Sequence, residues 1–235
     1  MKRNIITTAD GSKTIQIEEW NEHYHSVHGA IQEAKHVFVK HGLLFLIEKV
    51  PKSSNISVLE IGFGTGLNAF VTLLNAEELN LKIDYVGVEA YPVLEEEIKL
   101  LNYVDELGAE AYREAYKKMH QCPWETSNHI TSHFQLNKQQ KDFKDIKDEN
   151  IYDLIYFDAF GARVQPELWK EAIFEIMYTS LKPEGILVTY SAKGSVRRAM
   201  QSVGFKVEKL PGPPGKREML RATKHSAIRS EPNVN

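Results

Sequence analysis

Apolar positions along this chain alternate between two rhythms, a strand-like run of a few residues and a longer stripe at helical spacing. Near the start, the β-prone segments NII and TIQI flank TTADGSK, and Asp10-Gly11 suits a turn with positive φ, so a hairpin is predicted there. In GAIQEAKHVFVKHG, residues 29–42, Ile31, Ala34, Val37, Phe38 and His41 recur near helical spacing, with Gly42 as the expected C-terminal cap. From there β and α signals take turns. SVLEI reads as a buried strand, LNAFVTLLNAEEL as a helix, KIDYVGVE as a strand and PVLEEEIKLLNYV as one proline-started helix. YDLIYFDAF, PELWKEAIFEIMYTSL, GILVTYS and SVRRAMQSVG continue the alternation, the last closed by Gly204. KVEKL and REMLRAT, joined by PGPPGK, form a final antiparallel pair, and the closing NVN is expected to fray. Residues 121–150 show no readable element. The pattern predicts a three-layer α/β fold with a mainly parallel sheet, divided into an N-terminal hairpin-and-helix appendage (1–50) and a main domain (51–235).

Composition narrows the function classes. With 235 residues and 42% hydrophobic content the chain fills one substantial core. It has no apolar run of membrane-spanning length, and MKRNIITTADGSK lacks the apolar stretch of a secretory signal, so a cytoplasmic location is expected. A single cysteine, Cys122, excludes an internal disulfide framework and any multi-cysteine metal site. The net charge of −3 hides a segregation. Between Asp84 and Glu114 nine acidic residues face only Lys99 and Arg113; between Lys193 and Lys224 nine basic residues face only Glu208 and Glu218. Two solvated faces would account for this, and so would a basic surface that meets a polyanion.

LEIGFGTGLN, residues 59–68, places three glycines in five positions just past the first strand of the alternating region. In an open parallel sheet, ligands bind beyond the carboxyl ends of the strands, where backbone N–H groups and a helix N-terminus favour a nucleotide-like cofactor. A bare strand-to-helix turn would need only one such glycine. G-x-G-x-G departs from the dinucleotide spacing G-x-G-x-x-G and argues against NAD, whereas Glu89, ending YVGVE, suits ribose hydroxyls in either case. The pattern from Glu60 through Gly62 and Gly64 to Gly66 resembles motif I of the class I S-adenosylmethionine-dependent methyltransferases, a Rossmann-like fold. On that resemblance Asp142 falls where an acidic residue sits near the adenine amino group, and Asp158, past YDLIYF, lies at the acceptor position. DAFG there differs from the D/N-P-P-Y of base-amine methylation, and QCPW is unsuited to supply a C5-methylation nucleophile. A helix cap or loop-fixing carboxylate is the plain alternative for Asp158.

Taken in order, NEHYHSVHGAIQEAKHVF, LEIGFGTGLN, DAFGARVQPELW, TYSAKGSVRRAM and GPPGKREMLRA resemble the MnmD family, the stand-alone form of the methyltransferase half of MnmC. The resemblance implies methyl transfer from S-adenosylmethionine to 5-aminomethyl-2-thiouridine at the tRNA wobble position, giving 5-methylaminomethyl-2-thiouridine. No flavin-dependent oxidase half is expected in this chain. It further implies a metal-free monomer that meets the anticodon arm of tRNA. Cofactor contacts fall to Glu33, Glu60, Gly62, Phe63, Gly64, Gly66, Asn68, Glu89, Asp142 and Asp158. Substrate contacts fall to Phe160, Lys193, Arg197, Lys216 and Arg217, the last two presented to phosphates from a proline-stiffened loop. Tyr24, His25, Ser26 and Glu33 border the cofactor pocket in that family, although a capping and packing cluster would explain them equally.

The expected chemistry is an in-line displacement in which a neutral amine attacks the methyl group. With an ordinary carboxylate pKa near 3.9, Asp158 would be too weak a base for an alkyl ammonium and would act electrostatically, orienting the amine and stabilising the charge that grows on nitrogen. Two alternatives share part of this pattern. An aminopropyltransferase of the spermidine-synthase type has the same loop and aspartate, and a non-catalytic RNA-binding module would keep the basic C-terminal region.

Overall fold

The computed structural model describes residues 2–49 and 55–225. The expected boundary at residue 50 and the terminal NVN lie outside them. Strands β1 (Arg3–Thr7), β2 (Lys13–Ile17) and β3 (Glu22–His23) form a small antiparallel sheet, with Thr7 opposite Lys13 across the Asp10-Gly11 turn. The main sheet has eight strands: β4 (Ile56–Ile61), β5 (Ile83–Glu89), β6 (Ser127–His129), β7 (Phe134–Gln140), β8 (Tyr152–Phe157), β9 (Leu181–Thr189), β10 (Phe205–Pro211) and β11 (Glu218–Lys224). Their spatial order is β10-β11-β9-β8-β4-β5-β7-β6, parallel from β9 to β7 and antiparallel at both margins.

Alternation along the central strands divides the core in two. Val58, Leu154, Tyr156, Ile186 and Val188 face one helical layer, and Leu59, Ile155, Phe157 and Leu187 face the other. The first layer holds α1 (Ala30–Ala34), its continuation through a π-helical stretch Lys35–Leu44 into α2 (Phe45–Ile47), and α3 (Leu67–Leu79). It also holds α4 (Glu95–Ile98), α5 (Tyr103–Glu106) and α6 (Arg113–Gln121). The second holds α7 (Glu171–Ser180) and α8 (Gly194–Ser202).

Three expectations need correction. The first helix does not stop at Gly42 but runs on to Ile47, because Gly42 is the close-approach point where a Cβ would meet Tyr156 and Val188 at 3.1 Å. That helix buries Ala30, Val37, Phe38 and Leu43 in the main core. PVLEEEIKLLNYV is broken into α4 and α5. Asn102, in the break, accepts from Lys13 N at 2.7 Å and donates to Gly11 O at 3.0 Å, so its side chain serves the hairpin turn. Arg3 ties β1 to Glu97 at 2.9 Å in the same region. Finally, residues 121–150 contain β6 and β7. Phe134, Leu136 and Lys138 are buried on one face of β7, the Lys138 ammonium donating to His120 O at 2.7 Å and lying 5.0 Å from the Trp124 ring centre.

Candidate functional site

The carboxyl ends of five parallel strands open into one cavity of about 540 Å³. Residues just beyond β4 (Gly62 to Gly64), β5 (Glu89 to Tyr91), β7 (Asp142 to Lys144), β8 (Asp158 to Gly161) and β9 (Tyr190) line it. The small sheet and the loop after it close the remaining side with Trp20, Glu22, Tyr24, His25 and Ser26.

At the glycine-rich end, the close neighbours of the glycines are protein atoms. Gly62 has φ +89, and a Cβ there would stand 2.7 Å from the Asp158 carbonyl oxygen, because β4 and β8 leave the sheet side by side. Gly64, at φ +48, would bring a Cβ to 3.0 Å from Cδ1 of Tyr24, and its N–H donates to Glu89 Oε2 at 3.0 Å. Gly66 turns the chain into α3 against His120 and is not among the residues that line the cavity. Glu89 is held by a second bond, accepting from Tyr91 N at 2.9 Å, which fixes its carboxylate at the end of β5. Asp142 caps the turn after β7, accepting from Lys144 N at 3.0 Å and pairing with Lys144 Nζ at 3.1 Å. It lines the cavity as expected, with one of its duties already local.

Glu60 does not reach the cavity. It is fully buried behind it, accepting from Asn68 Nδ2 and from the Tyr85 hydroxyl, both at 2.9 Å, and burial raises its pKa well above the usual carboxylate range. Its part is to fix Asn68. The Asn68 amide also donates to Asp158 Oδ2 at 2.8 Å, while Asn68 Oδ1 is buried with no partner. Phe63 is a core residue packed on His120 and Trp124, with one edge on the cavity.

At the other end the residues come from distant segments. Glu33 of α1, nearly buried, accepts from Ser26 N at 2.9 Å through one oxygen and pairs with the Lys216 ammonium through the other. Lys216 lies 3.9 Å from the centre of the Tyr190 ring, and the Tyr190 hydroxyl donates to Ala159 O at 2.8 Å. Asp158 sits among them, and its pKa is pushed up to about 7, first by burial and then by the charge of Glu33. The Asn68 bond and the Lys216 charge pull the other way. The expectation of an ordinary carboxylate is therefore overturned: near neutral pH this group is poised to take up a proton. His25 shares a 3.0 Å hydrogen bond with Thr14 Oγ1 and is pushed down to about 4 by its desolvated surroundings, so it stays neutral. Tyr24 and Trp20 meet Phe160 edge-on at 4.9 and 5.6 Å, and Arg163 ties this wall together by donating to Trp20 O, Asn21 O and Glu22.

The basic residues expected to hold phosphates divide. Lys216 lines the cavity and its ammonium is held by Glu33 and Tyr190, while 31% of its side chain remains exposed. Arg217 is exposed beside Lys209 and Glu218, away from the cavity. Lys193 is exposed at the start of α8, whereas Arg197 is half-buried with an unpartnered Nε; neither lines the cavity. Tyr190 and Trp20 were missed by sequence reasoning. The place of Tyr190 at the end of GILVTYS was the available signal for one; nothing local marks Trp20. Among the described residues no three His, Cys, Asp or Glu side chains could hold a metal ion, and no helix is long and apolar enough to cross a membrane.

The cavity suits the expected cofactor: it opens at the start of α3, beside a backbone-held carboxylate ending β5 and the Asp142 turn after β7. Comparison with known proteins agrees. The chain is 30% identical over 212 residues to the tRNA 5-methylaminomethyl-2-thiouridine biosynthesis bifunctional protein MnmC of Leptospira interrogans, a match covering 86% of this chain and 32% of that one. For the protein of the same name from Idiomarina loihiensis the values are 29% over 210 residues, 84% and 34%. The chain thus spans about a third of the length of these curated relatives. The crystal structure of MNMC2 from Aquifex aeolicus superposes with a TM-score of 0.77 at 27% identity, covering 96% of this chain and 71% of that one. Spermidine synthase from Thermotoga maritima, at a TM-score of 0.59 and 15% identity over 94% of this chain and 69% of its own, shares the fold alone. A family of S-adenosyl-L-methionine-dependent methyltransferases matches residues 105–225, just over half of the sequence, and the chain belongs to that family.

Proposed function

We propose that this protein methylates the amine of 5-aminomethyl-2-thiouridine at the wobble position of tRNA, giving 5-methylaminomethyl-2-thiouridine. In this reading it works as a metal-free monomer in the cytoplasm, with residues 51–235 carrying the transfer and the N-terminal segment completing the acceptor wall. The observation that carries the reading is the carboxylate of Asp158, placed in the cavity where β8 ends beside the glycine-rich loop, bonded to Asn68 through Oδ2 and raised in pKa to about 7. Bound S-adenosylmethionine would supply an electrophilic methyl group on sulfonium. Gly62, Phe63, Gly64, Asn68, Glu89 and Asp142 would hold it, with Glu60 and Gly66 shaping the loop from behind.

An alkyl ammonium, like that of lysine, gives up its proton near pH 10, so a base in the site speeds the reaction. Asp158 accepts that proton, with its Oδ2 fixed by Asn68, and its carboxyl group stays beside the nitrogen as positive charge returns during transfer. Phe160, Trp20 and Tyr24 offer aromatic surface to a base extruded from the anticodon loop. Lys193 and Arg197 remain candidates for phosphate contact outside the cavity. Incubation with S-adenosylmethionine and tRNA carrying the aminomethyl group, followed by nucleoside mass spectrometry, should show the methylaminomethyl product. Tighter binding of decarboxylated S-adenosylmethionine in calorimetry, with turnover of a diamine, would replace this reading with aminopropyl transfer.

A further inference from the structure

The Lys216–Glu33 pair is an unusual thing to find inside a cavity that has to receive an amine. The Lys216 side chain is only partly buried, with 31% exposed, yet its ammonium is both paired and packed. Glu33 binds it, the Tyr190 ring lies 3.9 Å away, and the loop that brings it is a constructed turn. Gly212 N donates to Arg217 O at 3.1 Å and Lys216 N to Pro213 O at 2.9 Å. His36 on the first helix is bonded to Pro211 O at 2.8 Å, pinning the loop to the same helix that carries Glu33. Gly215 fits directly over His28, where a Cβ would come within 2.1 Å of the ring.

We propose that Lys216 is a positioning residue for proton transfer: anchored by Glu33, its ammonium favours the deprotonated form of both the acceptor amine and Asp158, so that a neutral amine and a free carboxylate coexist at lower pH than they would without it. This rests on the methyl-acceptor reading given above. The ammonium N–H bond breaks, its proton forms an O–H bond on the Asp158 carboxylate, and the electron pair stays on nitrogen. That pair forms the N–CH3 bond as the methyl–sulfur bond breaks and its electrons remain with sulfur. No further reactant is required.

The remaining groups around the pair fit this division of labour. Asp158 past β8 feels the charges of both Glu33 and Lys216. Tyr190 past β9 is raised in pKa by burial and stays protonated, and His25 in the loop before α1 stays neutral. Glu22 in β3 is already paired with Arg163 at 2.8 Å. His28 faces the loop at Gly215, and Glu60 lies behind Asn68. Within the acceptor end, the charges that act on Asp158 are thus chiefly Glu33 and Lys216, with opposite signs.

Opposite signs give opposite predictions. A nearby cation favours the deprotonated form of both amine and carboxylic acid, and a nearby anion the protonated form. In Lys216→Met the acidic limb of the kcat/KM profile for aminomethyl-tRNA should therefore move to higher pH by about half a unit to one unit, and in Glu33→Gln to lower pH by a similar amount. Lys216→Arg should keep the wild-type limb, since the charge is retained. Cofactor affinity by calorimetry serves as the structural control and should change less than about threefold in all three. If Lys216→Met fails to fold, Glu33→Gln and Lys216→Arg decide the matter between them. Active wild-type protein with shifts that are absent or in the same direction would overturn this inference alone. Wild-type protein that transfers no methyl group to that tRNA at any pH would overturn the acceptor assignment and this inference with it.

Discussion

The two ends of the cavity are built in different ways. The glycine-rich end is local: Gly62 to Gly64 follow one strand, Glu89 to Tyr91 follow its neighbour, and backbone N–H groups of both segments donate to the Glu89 carboxylate. The acceptor end joins Glu33, Asp158, Tyr190 and Lys216, which are far apart in sequence and meet only when the sheet, first helix and last hairpin have come together. A local end is specified by backbone shape, so it is sensitive to a single added methyl group. An assembled end is specified by charge, so it is sensitive to protonation.

The largest effect should come from the assembled end. Asp158→Asn is expected to lower single-turnover methyl transfer by about 10²- to 10⁴-fold while cofactor affinity stays within a few-fold. Near-normal turnover would reduce Asp158 to a loop-fixing residue. The same variant carries a stability signature. Since the pKa of Asp158 rises from 3.8 to about 7 on folding, the folded protein binds more protons than the unfolded chain between those values. The contribution of this group to stability therefore falls as pH increases from about 4 to about 7. The melting temperature of Asp158→Asn relative to wild type should be higher at pH 8 than at pH 4.

The local end gives the next effect. Gly62→Ala meets both an unfavourable φ and a backbone carbonyl that cannot move away, and should lower stability by about 1–3 kcal/mol in denaturant titration. Gly64→Ala meets a tyrosine side chain that can rotate, so it should cost less stability and show instead in cofactor affinity. Equal losses in the two variants would mean that the loop is shaped by something other than these neighbours. Smaller still is Asn102→Ala, expected to cost about 1 kcal/mol by releasing the hairpin turn. Arg217→Ala should be the mildest, leaving stability and cofactor affinity close to wild type in denaturant titration and calorimetry, because that side chain is exposed and lies outside the cavity.

The same contrast explains what the sequence made legible. Strands such as SVLEI and YDLIYF announce themselves because both faces are apolar, and the glycine spacing marks the cofactor loop. Strand β7 was illegible because its buried positions include Lys138, whose charge is accommodated by His120 O and Trp124, a tertiary arrangement with no local sign. The break between α4 and α5 was hidden for a similar reason, since Asn102 is held by the distant Gly11 and Lys13. At the site, the position of Asp158 could be read from its strand. Its altered acidity could not, because burial and Glu33 cause it, and nothing in GPPGKR distinguishes an inward lysine from an outward one.

The loop between β10 and β11 has a consequence for how the protein is made. Among the described residues none that lines the cavity lies later in the chain than Lys216, so on the ribosome the acceptor end receives this member after everything that shapes the cofactor end has emerged. A nascent chain can arrange its glycine turn and the carboxylate of Glu89 while Asp158 still lacks its neighbouring cation. The hairpin that carries Lys216 is therefore the last of these pieces to be synthesised.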